Sequence, residues 1–140
     1  MSPNAETIRN FYDAFKAQDK ESCQNMCAKD IEWSTMNGMP NGGTFVGKGA
    51  VFDKYFPEML SNFEEFHAIP EEFLDAGENI VVTGRYEGIP KSSSTRFVAK
   101  FVHIYTVHNS KITRFRQYTD TKSIQDSLAS ANTQKNITKL

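Results

Sequence analysis

The chain has 140 residues, 39% of them hydrophobic and 12% aromatic, which suits one domain and excludes a disordered or low-complexity polypeptide. Sixteen Lys and Arg against seventeen Asp and Glu leave a formal charge of -1, so no basic surplus exists for phosphate backbones or anionic lipid heads, and neither nucleic acid nor membrane is expected as a partner. Two cysteines make no disulfide framework, no apolar run reaches a membrane span, and the start carries no signal pattern, so the expected compartment is the cytoplasm.

Ser2-Pro3 reads as a helix start, since Ser can cap orphan N–H groups and Pro tolerates the first turn. Ile8, Phe11, Tyr12 and Phe15 then recur as one apolar helical stripe. Asp19 is the expected cap of a second short helix with Cys23, Met26 and Cys27 on its buried side, the two cysteines as small buried hydrophobes. Ile31 to Met36 reads as a strand carrying the single tryptophan, Trp33. Turn residues 37–43 follow, then Thr44-Phe45-Val46 and a helix from Gly49 to Phe56, with a break or kink expected at Pro57. From Phe66 the pattern turns to strands, and Pro70 relegates the segment to Asp75 to an edge or bulged position.

Three strands, Asn79–Ile89, Thr95–His108 and Lys111–Thr119, are separated by short turns and predict an antiparallel meander. A final amphipathic helix, 121–130, carries Ile124 and Leu128, with Asp120 as its N-cap. Residues 131–140 form a polar tail, so one domain is expected over 1–130. Helices first and a long sheet last is an α+β order. Such a sheet can curl, and helices covering its concave face would enclose an aromatic-lined space suited to a small hydrophobic molecule.

Four stretches resemble the SnoaL-like and ketosteroid-isomerase-related branch of the nuclear transport factor 2-like superfamily. They are Ile8…Phe11-Tyr12…Phe15-Lys16-Ala17-Gln18-Asp19, Asp30-Ile31-Glu32-Trp33, Thr44-Phe45-Val46-Gly47-Lys48-Gly49-Ala50-Val51, and His103-Ile104-Tyr105-Thr106-Val107 with Lys111 to Asp120. The resemblance spans about residues 4–128 and implies a cone-shaped α+β barrel, a pocket at its wide end and a homodimer packed through the sheet. The fold hosts isomerases, cyclases, dehydratases, epoxide hydrolases and non-catalytic binders, so function rests on single residues.

Ketosteroid isomerases use an Asp base with a Tyr and a protonated Asp as oxyanion donors. Here Phe11 falls at the Tyr position, Trp33 at the base position and His103 near the protonated Asp, which leaves two roles empty and speaks against that reaction. Polyketide cyclases of the family pair a His with an Asp on the last two strands. His103 matches the His, while Gln117 stands at the Asp position and cannot take up a proton at neutral pH. His103 would then act alone, and its ordinary pKa near 6.5 would suit acid–base work. Arg85-Tyr86-Glu87 resembles half of the Arg-and-Asp site of epoxide hydrolases, with Glu for Asp, or serves as an ion pair in the sheet.

The candidate catalytic residues are therefore His103, Gln117, Arg85 and Glu87, and the candidate binding residues Phe11, Phe15, Trp33, Phe101, Tyr105 and Phe115. The histidines are too scattered for a metal, and Gly42-Gly43 precedes a strand rather than a helix, so neither metal nor nucleotide cofactor is implied. The leading expectation is a binder of a small hydrophobic molecule. The alternatives are a cofactor-independent isomerase, cyclase or dehydratase using His103, and a dimeric interaction module with a vestigial pocket.

Overall fold

The computed structural model describes residues 1–129, so the polar tail expected over 131–140 and the last residue of the expected final helix lie outside the described residues. Helix α1 (Pro3–Lys16) starts as its sequence suggests, with Ser2 Oγ accepting from the Ala5 N–H and Ile8, Phe11 and Tyr12 buried. Asp19 caps α2 (Lys20–Asn25) by accepting from the Ser22 N–H. Here one expectation is corrected. Cys23 and Cys27 do not share a helix: α2 ends at Asn25 and Cys27 opens strand β1 (Cys27–Ser34), four residues earlier than the sequence pattern suggests. Two caps in quick succession make α2 only six residues long, and Met26 closes it with bent-back N–H bonds to Ser22 and Cys23 carbonyls.

Strand β2 (Thr44–Val46) returns against β1, and the chain then enters a helix whose first part, Gly49–Tyr55, has π geometry. At Phe56 it becomes α3 (Phe56–Leu60). Pro57 therefore marks a change of helical register and not a break. Lacking an N–H, it cannot continue the wider ladder, and at the second position of α3 it does not need one.

The remaining strands are β3 (Phe63–Ala76), β4 (Asn79–Pro90), β5 (Phe97–His108) and β6 (Lys111–Thr119). The sheet order is β2-β1-β6-β5-β4-β3. The meander β3 to β6 is antiparallel as expected, whereas β1 lies parallel to β6. Strand β3 is an edge, with a register shift between Pro70 and Glu72 where proline denies the ladder a donor. Further shifts between β1 and β6 and between β5 and β6 bend the sheet. Its concave face carries the core, and α4 (121–129), capped by Asp120 accepting from the Ser123 N–H, adds buried Ile124. Among the described residues no helix is long and apolar enough to cross a membrane.

Candidate functional site

Side-chain alternation decides what reaches the concave face. On β5 the odd positions Phe101, His103 and Tyr105 are buried, on β6 Phe115 and Gln117, on β1 Trp33, and on β4 the even positions Val82 and Tyr86. Register places His103 opposite Gln117 across β5 and β6 and opposite Val82 across β4 and β5. Helix α1 covers these strands with Phe11, Tyr12 and Phe15, and the π-to-α helix adds Tyr55 and Phe56. Trp33 stacks on Phe115 at 3.8 Å and meets Phe56 at 5.2 Å between ring centres.

A cavity of about 30 Å³ remains among these groups, bordered by Phe11, Phe15, Trp33, Tyr105, Phe115, His103 and Gln117 together with Tyr12, Tyr55 and Tyr86. It adjoins a cleft of about 830 Å³ between α1, the π-to-α helix and the first half of β3; Tyr12, Phe15, Phe56, Phe66 and Ala68 border both. Phe101 borders neither. It stacks under His103 with ring centres 3.8 Å apart and planes 6° from parallel, and so fixes the imidazole from below.

Arg85 and Glu87 are placed elsewhere. They occupy odd positions of β4, on the face opposite Tyr86, where Arg85 pairs with Glu87 at 3.3 Å and with Glu71 at 3.6 Å, all three partly exposed. The site expected to contain them with His103 is not assembled, because one residue along a strand reverses the face. They form a surface ion cluster across β3 and β4.

Two residues that the sequence reading passed over stand closest to His103. Tyr12 Oη lies 2.6 Å from His103 Nδ1, and Tyr86 Oη 2.5 Å from His103 Nε2. Gln117 Nε2 donates to Tyr86 Oη at 2.7 Å, and Gln117 Oε1 accepts from the Met36 N–H at 3.2 Å. The Tyr105 ring meets the Tyr12 ring edge-on, with centres 5.9 Å apart. The result is one continuous string, Tyr12–His103–Tyr86–Gln117, within an aromatic enclosure.

Burial governs its ionisation. It pushes the His103 imidazole well below its ordinary value, and no carboxylate counters that push. Burial raises the Tyr12, Tyr86 and Tyr105 phenols well above theirs. The ordinary histidine pKa expected from sequence thus does not apply, because the low-dielectric enclosure disfavours the imidazolium. At neutral pH every member of the string is uncharged. Burial likewise raises the thiols, Cys23 to about 11 and Cys27 to about 12, so neither is a ready nucleophile. Among the described residues no group of three or more His, Cys, Asp or Glu side chains is placed to hold a metal ion.

The model of the SnoaL-like domain matches residues 8–115. An NTF2-like protein from Burkholderia pseudomallei superposes with a TM-score of 0.84 at 28% identity, over 91% of this chain and 98% of that one. An NTF2-like protein from Burkholderia xenovorans gives 0.78 at 30% identity, over 91% and 98%. TerC, co-crystallised with polyporic acid, gives 0.84 at 28% identity, over 92% and 100%. No curated protein matches the sequence.

Proposed function

The chain belongs to the SnoaL-like domain family, and from that premise we propose that it binds a small, mainly apolar molecule without transforming it. The observation that carries this reading is the uncharged string through His103 inside an aromatic enclosure. Acid–base turnover at neutral pH needs a group poised to change charge, and burial removes that capacity here. Aromatic walls with a few convergent polar points instead match the usual make-up of a ligand pocket. The guest would rest in the cleft of about 830 Å³ and reach the small cavity with one end. TerC, co-crystallised with polyporic acid, supports a ligand-holding role for a fold of this kind. A second copy of this chain is the protein partner proposed, through the outer face of the sheet.

Trp33 is the single tryptophan and borders the cavity, so its fluorescence reports occupancy. Titration with 2-acetonaphthone is expected to quench it saturably, with the compound recovered unchanged after overnight incubation. Conversion of such a ketone into an isomer or condensation product, abolished by His103→Gln, would replace binding with catalysis. Absence of saturable quenching by any flat aromatic compound would remove the binding reading.

A further inference from the structure

The hydrogen count of the buried string specifies what the guest must present. Tyr12 and Tyr86 each carry one hydroxyl hydrogen and neutral His103 one ring hydrogen, which makes three donors. Two links join these three residues. One hydrogen is therefore left over at one end of the string, whichever way the bonds run. If Tyr86 donates to His103 Nε2, then Nδ1 donates to Tyr12, and the spare hydrogen sits on Tyr12. If the bonds run the other way, Nε2 carries the ring hydrogen and the spare one sits on Tyr86.

Gln117 breaks the symmetry between the two ends. Among the described residues its amide nitrogen makes one hydrogen bond, to Tyr86 Oη, and so keeps a second hydrogen to donate. Running the string towards Tyr86 would place two unmatched donors side by side, on atoms 2.7 Å apart. That arrangement is unfavourable unless something accepts from both. Without an acceptor the string runs to Tyr12, and His103 is the Nδ1–H tautomer.

Resting on the binding reading above, we propose that the guest enters with an uncharged carbonyl oxygen, which takes hydrogen bonds from both the Tyr86 hydroxyl and the Gln117 amide and thereby switches His103 from the Nδ1–H to the Nε2–H tautomer. The cavity of about 30 Å³ fits such a head, since one atom-sized guest needs on the order of 10–15 Å³. Its lining includes no Lys or Arg, so a carboxylate there would be a buried, unpaired charge, whereas a ketone or quinone oxygen would not. The cleft beyond takes the flat apolar body. Specificity then comes from satisfying two buried donors, which penalises any analogue lacking the oxygen.

The test compares three flat compounds of similar size, 1-tetralone, tetralin and 1-naphthoate, by calorimetric titration of the full chain. The tetralone is expected to bind at least tenfold more tightly than either of the others, and Gln117→Leu to bring tetralone within about threefold of tetralin. In parallel, 15N spectra of the His67→Gln, His108→Gln double variant, which leaves a single imidazole, are expected to show the two ring nitrogens exchanging protonated and unprotonated shifts when tetralone is added. Equal binding of tetralone and tetralin, or tighter binding of the naphthoate, would overturn the carbonyl assignment while leaving the binding reading intact. Tight tetralone binding with unchanged imidazole shifts would overturn the switch. No binding by any of the three would overturn both readings.

Discussion

Tyr86 joins His103 to Gln117, donating or accepting at the imidazole and accepting from the amide. Tyr86→Phe keeps the ring and removes both links, leaving a buried ring nitrogen and a buried amide unsatisfied. Each such loss costs about 1–3 kcal/mol, so urea unfolding is expected to show a destabilisation of about 2–6 kcal/mol, against less than about 0.5 kcal/mol for Tyr118→Phe on the outer face. His103 gives a separate, pH-dependent signature. The unfolded chain protonates it near its ordinary value of about 6.5, while the folded protein does so only at much lower pH. Below about pH 6.5 the unfolded state therefore holds the extra proton, and stability falls by about 1.4 kcal/mol per pH unit until the folded value is reached. Hydrogen bonds hold the Asp19, Asp75 and Asp120 carboxyls below their usual range, so their stabilisation is lost only at more acid pH. Urea midpoints at pH 7.5, 6.5 and 5.5 are expected to fall in the wild type and to lose that one-proton slope in His103→Gln; an unchanged slope would show the imidazole to be no more than ordinarily basic. Strand parity in the sequence already aims His103, Gln117, Phe115 and Tyr105 at one space, whereas Tyr12 is hidden in an apolar helical stripe. Tyr86 was legible in another way: Thr83, Arg85 and Glu87 put the polar side of β4 on odd positions, which turns Tyr86 inward.

Two glycines let β4 curve beneath its neighbours. A Cβ on Gly84 would meet the Ile69 carbonyl oxygen at 2.3 Å and the Phe101 ring at 2.7 Å, and one on Gly88 the Glu65 carbonyl oxygen at 2.5 Å and the Phe97 ring at 2.9 Å. The rings of β5 thus lie over bare backbone, and Phe101, which supports His103, needs the space at Gly84. Gly84→Ala is expected to cost about 1–3 kcal/mol through overpacking and to loosen the imidazole's support. Gly77→Ala gives a contrast, since nothing lies within 4 Å of its Cβ and only its φ of +77° resists substitution. Thermal unfolding of the two variants, with Trp33 fluorescence for the enclosure, is expected to show disturbed fluorescence in Gly84→Ala alone. At this scale the helix caps and the edge strand at Pro70 were readable because each rests on local chemistry, a side-chain acceptor or a missing donor. The Cys27 boundary was not readable. Cys23, Met26 and Cys27 satisfy a helical stripe, and only the pairing of Cys27 with Ile112 makes that residue a strand.

The α+β order of the whole molecule follows from helical periodicity giving way to alternation along the chain, but the parallel contact of β1 with β6 joins segments almost eighty residues apart and leaves no local trace. The outer face of the sheet, by contrast, follows directly from the parity that fills the inside. Val98, Val102 and Ile104 on β5 share it with Val81 of β4 and Tyr118 of β6, and Val98 and Tyr118 remain 51% and 49% exposed. Beside this apolar strip, opposite Ile104, Arg116 keeps a buried Nε without a hydrogen-bond partner among the described residues. An apolar strip of this kind is costly to leave in water and, flanked by an unmet donor, suits a second copy packed sheet to sheet. Light scattering at micromolar concentration is expected to give twice the 15.9 kDa of one chain. Val102→Glu would place like charges against each other across a two-fold axis and is expected to return the mass to that of one chain. Its effect should stay confined to assembly, because the side chain faces away from His103: Trp33 fluorescence and its response to 2-acetonaphthone should match the wild type. A monomeric wild type would remove the outer face as an interface, and a Val102→Glu dimer would move the interface elsewhere on the molecule.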